Sequence, residues 1–137
     1  MRFEGRVKKD DKFWLVEIPA FDAFTQGRTK REALEMAKDL LETMADAPGF
    51  EVTLHPGCKN VFEVGANHLR VFVALLLRRQ RESRGVTLAE AAARLGQNSR
   101  NAYARYEQGK AIPTVEKLEQ LLAAVAPDQR IVWRLAA

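Results

Sequence analysis

A single cysteine, Cys58, and two histidines are all the thiol and imidazole ligands that 137 residues provide. An internal disulfide is impossible, which fits a reducing cytosol, and a zinc site wants four ligands in two spaced clusters. His55 and Cys58 make one isolated H-x-x-C, and His55-Pro56-Gly57 reads more simply as a loop. No glycine-rich phosphate loop occurs. The one long apolar run, Val71 to Leu77, is far short of a membrane span, and the N-terminus alternates polar and apolar residues where a signal peptide would carry an apolar block. Glu4, Asp10, Asp11, Glu17 and Asp22 fall on alternating strand positions and a turn, so they do not gather the carboxylates that metal-assisted hydrolysis needs. These absences predict a cytoplasmic protein with no cofactor, metal, membrane contact or catalytic residue, and turn attention to binding.

Charge is unevenly divided. Residues 61–137 hold 12 Lys+Arg against 7 Asp+Glu, whereas residues 1–60 hold 10 against 11. Between Arg70 and Lys110 the balance is 9 basic to 3 acidic, a field that attracts phosphate. The pattern of residues also changes near position 60, which predicts two small domains, 1–60 and 61–137.

The stretch GQNSRNAYARYEQGKAIP, residues 96–113, is built like the reading helix of a DNA-binding helix-turn-helix. Ser99 can cap a helix by accepting a backbone N–H, and Gly109 can close it in a left-handed turn, which leaves Arg100 to Gln108 as a short helix. Tyr103 and Tyr106 lie at i, i+3 and can pack inward, while Arg100, Asn101 and Arg105 are exposed. Arg pairs bidentately with guanine and Asn with adenine. Just upstream, Thr87-Leu88-Ala89-Glu90 fits a capping box, and Leu88, Ala91, Ala92 and Leu95 stripe one face before Gly96 turns the chain. Pro113 and Thr114 open a further helix through Val115, Leu118, Leu121, Leu122 and Val125.

Together these residues resemble the Cro/repressor (XRE-like) family. Its members end the reading helix as Tyr106, Glu107, Gln108 and Gly109 do here, and pair that Glu with an Arg of the first helix, matched by Arg81. The resemblance implies that Arg100, Asn101 and Arg105 read bases of operator DNA, that Lys110 contacts phosphate, and that Arg81 and Glu107 form a structural ion pair. Two departures stand out: the turn from Gly96 to Ser99 is one residue longer than usual, and Leu88 replaces a common phosphate-binding Gln.

The opening is β-rich. Phe3, Gly5 and Val7 alternate with charged residues, Asp10-Asp11-Lys12 supplies turn chemistry, Phe13 to Ile18 reads as a second strand ended by Pro19, and Ala23 to Thr25 as a third. Thr29-Lys30-Arg31-Glu32 starts a helix with Ala33, Leu34, Met36, Ala37, Leu40, Leu41 and Met44 inside, broken at Pro48-Gly49, and Phe50 to Leu54 returns as a strand. This β-β-β-α-β order, with Trp14, Ile18-Pro19, Thr25-Gln26-Gly27 and Thr29 followed by Glu32-Ala33-Leu34, resembles the HicB antitoxin domain. The resemblance implies an α+β protein: a partial RNase H-like domain followed by an all-α helix-turn-helix domain. It further implies neutralisation of a small basic HicA-like mRNA-cleaving toxin, with repression of the protein's own promoter. Asp22, Phe24 and Gln26 are the candidate toxin contacts. The alternative is a stand-alone transcriptional regulator whose first domain senses a ligand or oligomerises.

Two features look beyond one chain. Val71 to Leu77 covers all sides of a helix with apolar residues, more than one packed face needs, and a homodimer is the favoured cover, with the N-terminal domain as the other. Arg130 to Leu135 alternates like a C-terminal strand with Ile131, Trp133 and Leu135 on one face, suited to pairing with its copy or to folding back on its own domain.

Overall fold

The alternation at the start of the chain becomes β1 (Phe3–Asp10) in the computed structural model, which describes residues 1–136. Asp11, in the left-handed region at φ 53°, turns the chain into β2 (Phe13–Ile18), and Asp10 opposite Phe13 closes a two-residue hairpin. Pro19 cannot extend the ladder and begins a single 3-10 turn, Pro19–Phe21, that leads to β3 (Ala23–Gly27). The helix α1 (Lys30–Ala45) follows, then β4 (Val52–Pro56) and β5 (Val61–Ala66). All neighbours pair antiparallel in the order β3-β2-β1-β5-β4.

Register decides which residues share a face. Val7 lies opposite Val16, Ile18 opposite Ala23, and Leu54 opposite Val64, so one face is apolar and α1 covers it with Ala33, Ala37 and Leu41 at i, i+4 and i+8, all buried. At one end of this core Phe3, Phe21 and Phe72 meet with ring centroids 5.0–5.3 Å apart. The opposite face carries Arg6, Leu15, Glu17, Phe24, Gln26 and Val61 toward solvent.

Thr29 caps α1, its Oγ1 accepting the Glu32 N–H at 3.0 Å, while the Glu32 carboxylate accepts the Arg28 N–H, one residue earlier than the expected capping box. Gly27 serves packing. A Cβ there would sit 2.5 Å from the Ala33 backbone nitrogen, so the first turn of α1 lies directly on the end of β3.

The second unit is helical: α2 (Leu69–Glu82), α3 (Leu88–Arg94), α4 (Asn101–Glu107) and α5 (Val115–Val125). The compact units are Met1–Leu76 and Leu77–Ala137, so the division falls within α2 rather than at residue 60. The expected boundary cuts between β4 and β5, and β5 is the strand that joins β1 to β4, so residues 61–66 belong to the sheet. The His55-Pro56 stretch, expected as a loop, is the end of β4.

Two further expectations are corrected. Every residue from Phe72 to Leu77 is buried within one chain, so this run does not require a second subunit to cover it. The C-terminal strand does not form among the described residues: residues 129–136 adopt no regular structure, and the unit that holds them contains no strand to supply a ladder. Trp133 Nε1 instead donates to Glu119 at 3.5 Å, and Val132 and Leu135 are exposed.

The close approach at Gly27 gives a direct test. Gly27→Ala should destabilise the first unit by about 1–3 kcal/mol, because the added methyl meets backbone that cannot swing aside. Urea unfolding followed by far-UV circular dichroism measures it, and a parent-like midpoint would show that α1 can lift off β3 without cost.

Candidate nucleic-acid interface

The helix-turn-helix geometry is built from repeated local rules. Thr87 Oγ1 accepts the Glu90 N–H at 3.1 Å and Glu90 accepts the Thr87 N–H at 3.0 Å, a complete capping box that fixes the start of α3. Gly85, Gly96 and Gly109 all have positive φ, and each follows one of α2, α3 and α4. After each glycine the next N–H bonds five residues back, Val86 to Arg81, Gln97 to Ala92 and Lys110 to Arg105, at 2.9–3.2 Å. Three helices thus stop by one Schellman pattern, which sets the short turns between them.

The start of α4 differs from expectation by one residue. Ser99 Oγ accepts the Asn101 N–H at 3.3 Å, but Arg100 occupies the cap position with helical backbone angles, so the first helical residue is Asn101. Tyr103 and Ala104 turn inward and are buried, and the Tyr103 hydroxyl donates to the Leu77 carbonyl at 3.4 Å. Burial, with Glu107 adding its negative charge, pushes the Tyr103 phenol far above its usual range, so it remains a neutral donor. Tyr106 is only half-buried, and the Arg105 guanidinium lies 5.9 Å from its ring centroid.

Arg100, Asn101, Arg105 and Lys110 are all exposed. Asn101 and Arg105 stand one turn apart on the same face, and Gln108, which the sequence pattern did not single out, continues it at i+7. Among the described residues Arg100, Arg105 and Lys110 form no ion pair within the chain, which separates them from other arginines of the basic stretch. Arg84 holds Asp128 at 2.8 and 2.9 Å and Gln80 at 2.7 Å, and keeps the Asp128 carboxyl well below the usual carboxylate range. Arg94 donates to the Ala124 carbonyl at 2.8 Å, linking the end of α3 to the end of α5. Composition alone could not sort structural from exposed cations; the distinction needs the tertiary fold.

Arg81 is the centre of the framework. Its Nε donates to Glu107 Oε1 at 2.6 Å and its Nη2 to Oε2 at 3.0 Å, a bidentate pair, while Nη1 reaches the Val86 carbonyl at 2.8 Å. Side-chain exposures of 14% and 7% place the pair largely out of water, and the Glu107 hydrogen bond raises the Arg81 pKa further. One guanidinium thereby joins α2, the turn after it and the last residue of α4.

Residues 77–126 match the helix-turn-helix family. The matched segment runs from the last part of α2 to the end of α5 and includes the Arg81–Glu107 pair and the exposed face of α4. No curated protein matches the chain. The helix-turn-helix assignment points to a DNA-binding regulator, and no helix of the described residues is long and apolar enough to cross a membrane.

Asp22, Phe24 and Gln26 lie in the other unit. Asp22 closes the 3-10 turn at φ 47°, its N–H bonding to the Pro19 carbonyl, and Phe24 and Gln26 point from β3 to the open face of the sheet. Phe24 is 61% exposed and is no part of the core.

Removing one partner of the Arg81–Glu107 pair leaves the other charge desolvated. Glu107→Ala should cost about 3 kcal/mol in the helical unit, and Arg81→Ala a similar amount, whereas the double replacement should cost less than their sum. A thermal-melt double-mutant cycle reads this coupling; additive single effects would reduce the pair to an ordinary surface contact.

Proposed function

We propose that this protein is an antitoxin that represses its own operon. In this reading the helical unit binds promoter DNA, with Arg100, Asn101 and Arg105 on base edges and Lys110 on phosphate, and the first unit neutralises a HicA-like mRNA-cleaving toxin. The observation that carries the DNA half is the exposed α4 face within the matched helix-turn-helix segment, where Arg105 and the flanking Arg100 and Lys110 have no ion-pair partners among the described residues. The toxin half rests on the sequence resemblance to HicB and on the exposed apolar side chain of Phe24. No catalysis is assigned to the chain.

The first unit's charge does not by itself explain affinity for a basic toxin. Its open face mixes Arg2, Arg6 and Lys8 with Glu4, Glu17 and Glu63, and Arg2–Glu63 and Arg6–Glu4 already pair at 3.2 and 3.0 Å. The shallow groove lined by Leu15, Phe24, Gln26 and Val61 offers apolar contact instead. A stand-alone regulator remains the second reading, favoured by the fact that the family match covers the DNA-binding segment alone.

Arg100→Ala should lose about 1–3 kcal/mol of binding and relax selectivity at one base pair, while Lys110→Ala should weaken all duplexes alike. The double variant Arg100→Ala/Arg105→Ala should derepress the promoter yet still protect cells from the product of an adjacent toxin gene. Loss of protection by a folded, normally expressed double variant would overturn the division of labour. Intact repression with no protection from any adjacent gene product would leave the stand-alone regulator.

A further inference from the structure

We propose that β3 is a self-pairing edge, joining antiparallel to β3 of a second copy so that two sheets become one. β3 is the first strand in the sheet order, and its outward hydrogen-bonding groups follow from the ladder. The Val7 N–H donates to the Asn60 carbonyl at 2.8 Å, so the backbone groups of Val7 face β5. Alternation then turns Val16, opposite Val7, toward β3, and Thr25, opposite Val16, toward β2. Phe24 and Gln26 therefore direct their N–H and C=O groups outward, where the sheet has no further strand.

The two edges of the sheet differ in protection. At β4 the Glu42 carboxylate accepts the Val52 N–H at 2.9 Å, and Pro56 has no N–H to offer. Residues 23–27, AFTQG, contain no charge, no proline and no bulge, and their register with β2 is unbroken from Ala23 to Gly27. An edge without these devices is a template for strand addition.

A second copy of the chain is the occupant this edge fits. A two-fold axis through Thr25 sets Phe24 against Gln26 of the second copy as a hydrogen-bonded pair on each side, with Thr25 facing Thr25 between them. Symmetric pairing places like residues near one another, and a strand with no charge incurs no repulsion there. On the covered face the meeting residues are Ala23, Thr25 and Gly27, all small. α1 starts beside Gly27 and reaches Val52 of the far edge through Glu42, so it leads away from β3. Antiparallel pairing puts the two helix starts at opposite ends of the junction. The Phe24 and Gln26 side chains stay on the open face, so the pairing leaves them available to another partner.

In the pairing described, the two Thr25 residues form a non-hydrogen-bonded pair about 4.5 Å apart at Cα, within the span of a disulfide, about 4.4–6.8 Å. The test uses the full chain with Cys58→Ser, which removes the one native thiol. Thr25→Cys in that background should form a disulfide-linked dimer under mild oxidation roughly tenfold or more faster than Thr53→Cys on β4, because pairing raises the local thiol concentration. Adding Gln26→Pro removes an outward N–H without touching the β2 ladder, and should return the rate to that of the control. Gln26→Pro alone should lower the mass of the assembly in sedimentation equilibrium by half, with an unchanged circular dichroism spectrum. Equal cross-linking of Thr25→Cys and Thr53→Cys in folded protein, or an unchanged mass for folded Gln26→Pro, would overturn the proposal. So would a Thr25→Cys chain that cross-links to a co-expressed protein and never to itself.

Discussion

The bidentate pair between Arg81 and Glu107 is the constraint on which the surface proposed to meet DNA depends. α4 is only seven residues long, too short to hold its own direction, and its outward side chains point at a groove only if its far end is fixed. Tyr103 buries one side and bonds to the Leu77 carbonyl, Gly109 ends the helix at a set angle, and Glu107 clamps its last turn to α2. With the same guanidinium held by the Val86 carbonyl, the turn before α3 is positioned by the same residue. The pair is thus a means of orientation more than a store of stability, since burying two charges recovers little net energy even where breaking the pair is costly.

Much of this unit was legible in sequence because it is written in short-range rules. A Thr three residues before a Glu, a Gly after an apolar stripe and an aromatic at the third helical position each have a local physical meaning, and α3, α4 and α5 formed where those signals stood. Arg81 and Glu107, 26 residues apart, were joined by family resemblance rather than by any local pattern. The missing β5 shows the converse. Val61 to Ala66 has a usable strand pattern, yet its membership of the first unit is decided by β1, nearly sixty residues earlier. The run from Phe72 to Leu77 misled for the same reason: an all-round apolar helix announces burial without naming the cover. The C-terminal alternation misled differently, since a period of two specifies a strand only when a neighbour supplies the ladder.

The two units divide the chemistry cleanly. In the helical unit Arg81, Arg84 and Arg94 hold the fold, whereas Arg100 at the cap of α4 and Arg105 within it stand exposed. In the first unit the charges of the open sheet face largely satisfy each other, leaving the uncharged β3 edge and Phe24 as the features that invite a partner. Paired first units would bring two helix-turn-helix segments into one assembly, the arrangement by which proteins of this motif read two half-sites.

Sequence-specific DNA binding by the full chain is the central claim, and salt dependence tests it most directly. Affinity for the protein's own promoter and for a shuffled duplex of equal length should both fall linearly on a log–log plot against salt concentration, because exposed cations displace counterions in each case. The promoter should remain bound at least about a thousandfold more tightly throughout, since the base contacts proposed for Arg100, Asn101 and Arg105 would survive the screening that weakens phosphate contacts. Two coincident lines, with promoter and shuffled duplex bound equally at every salt concentration, would contradict the account.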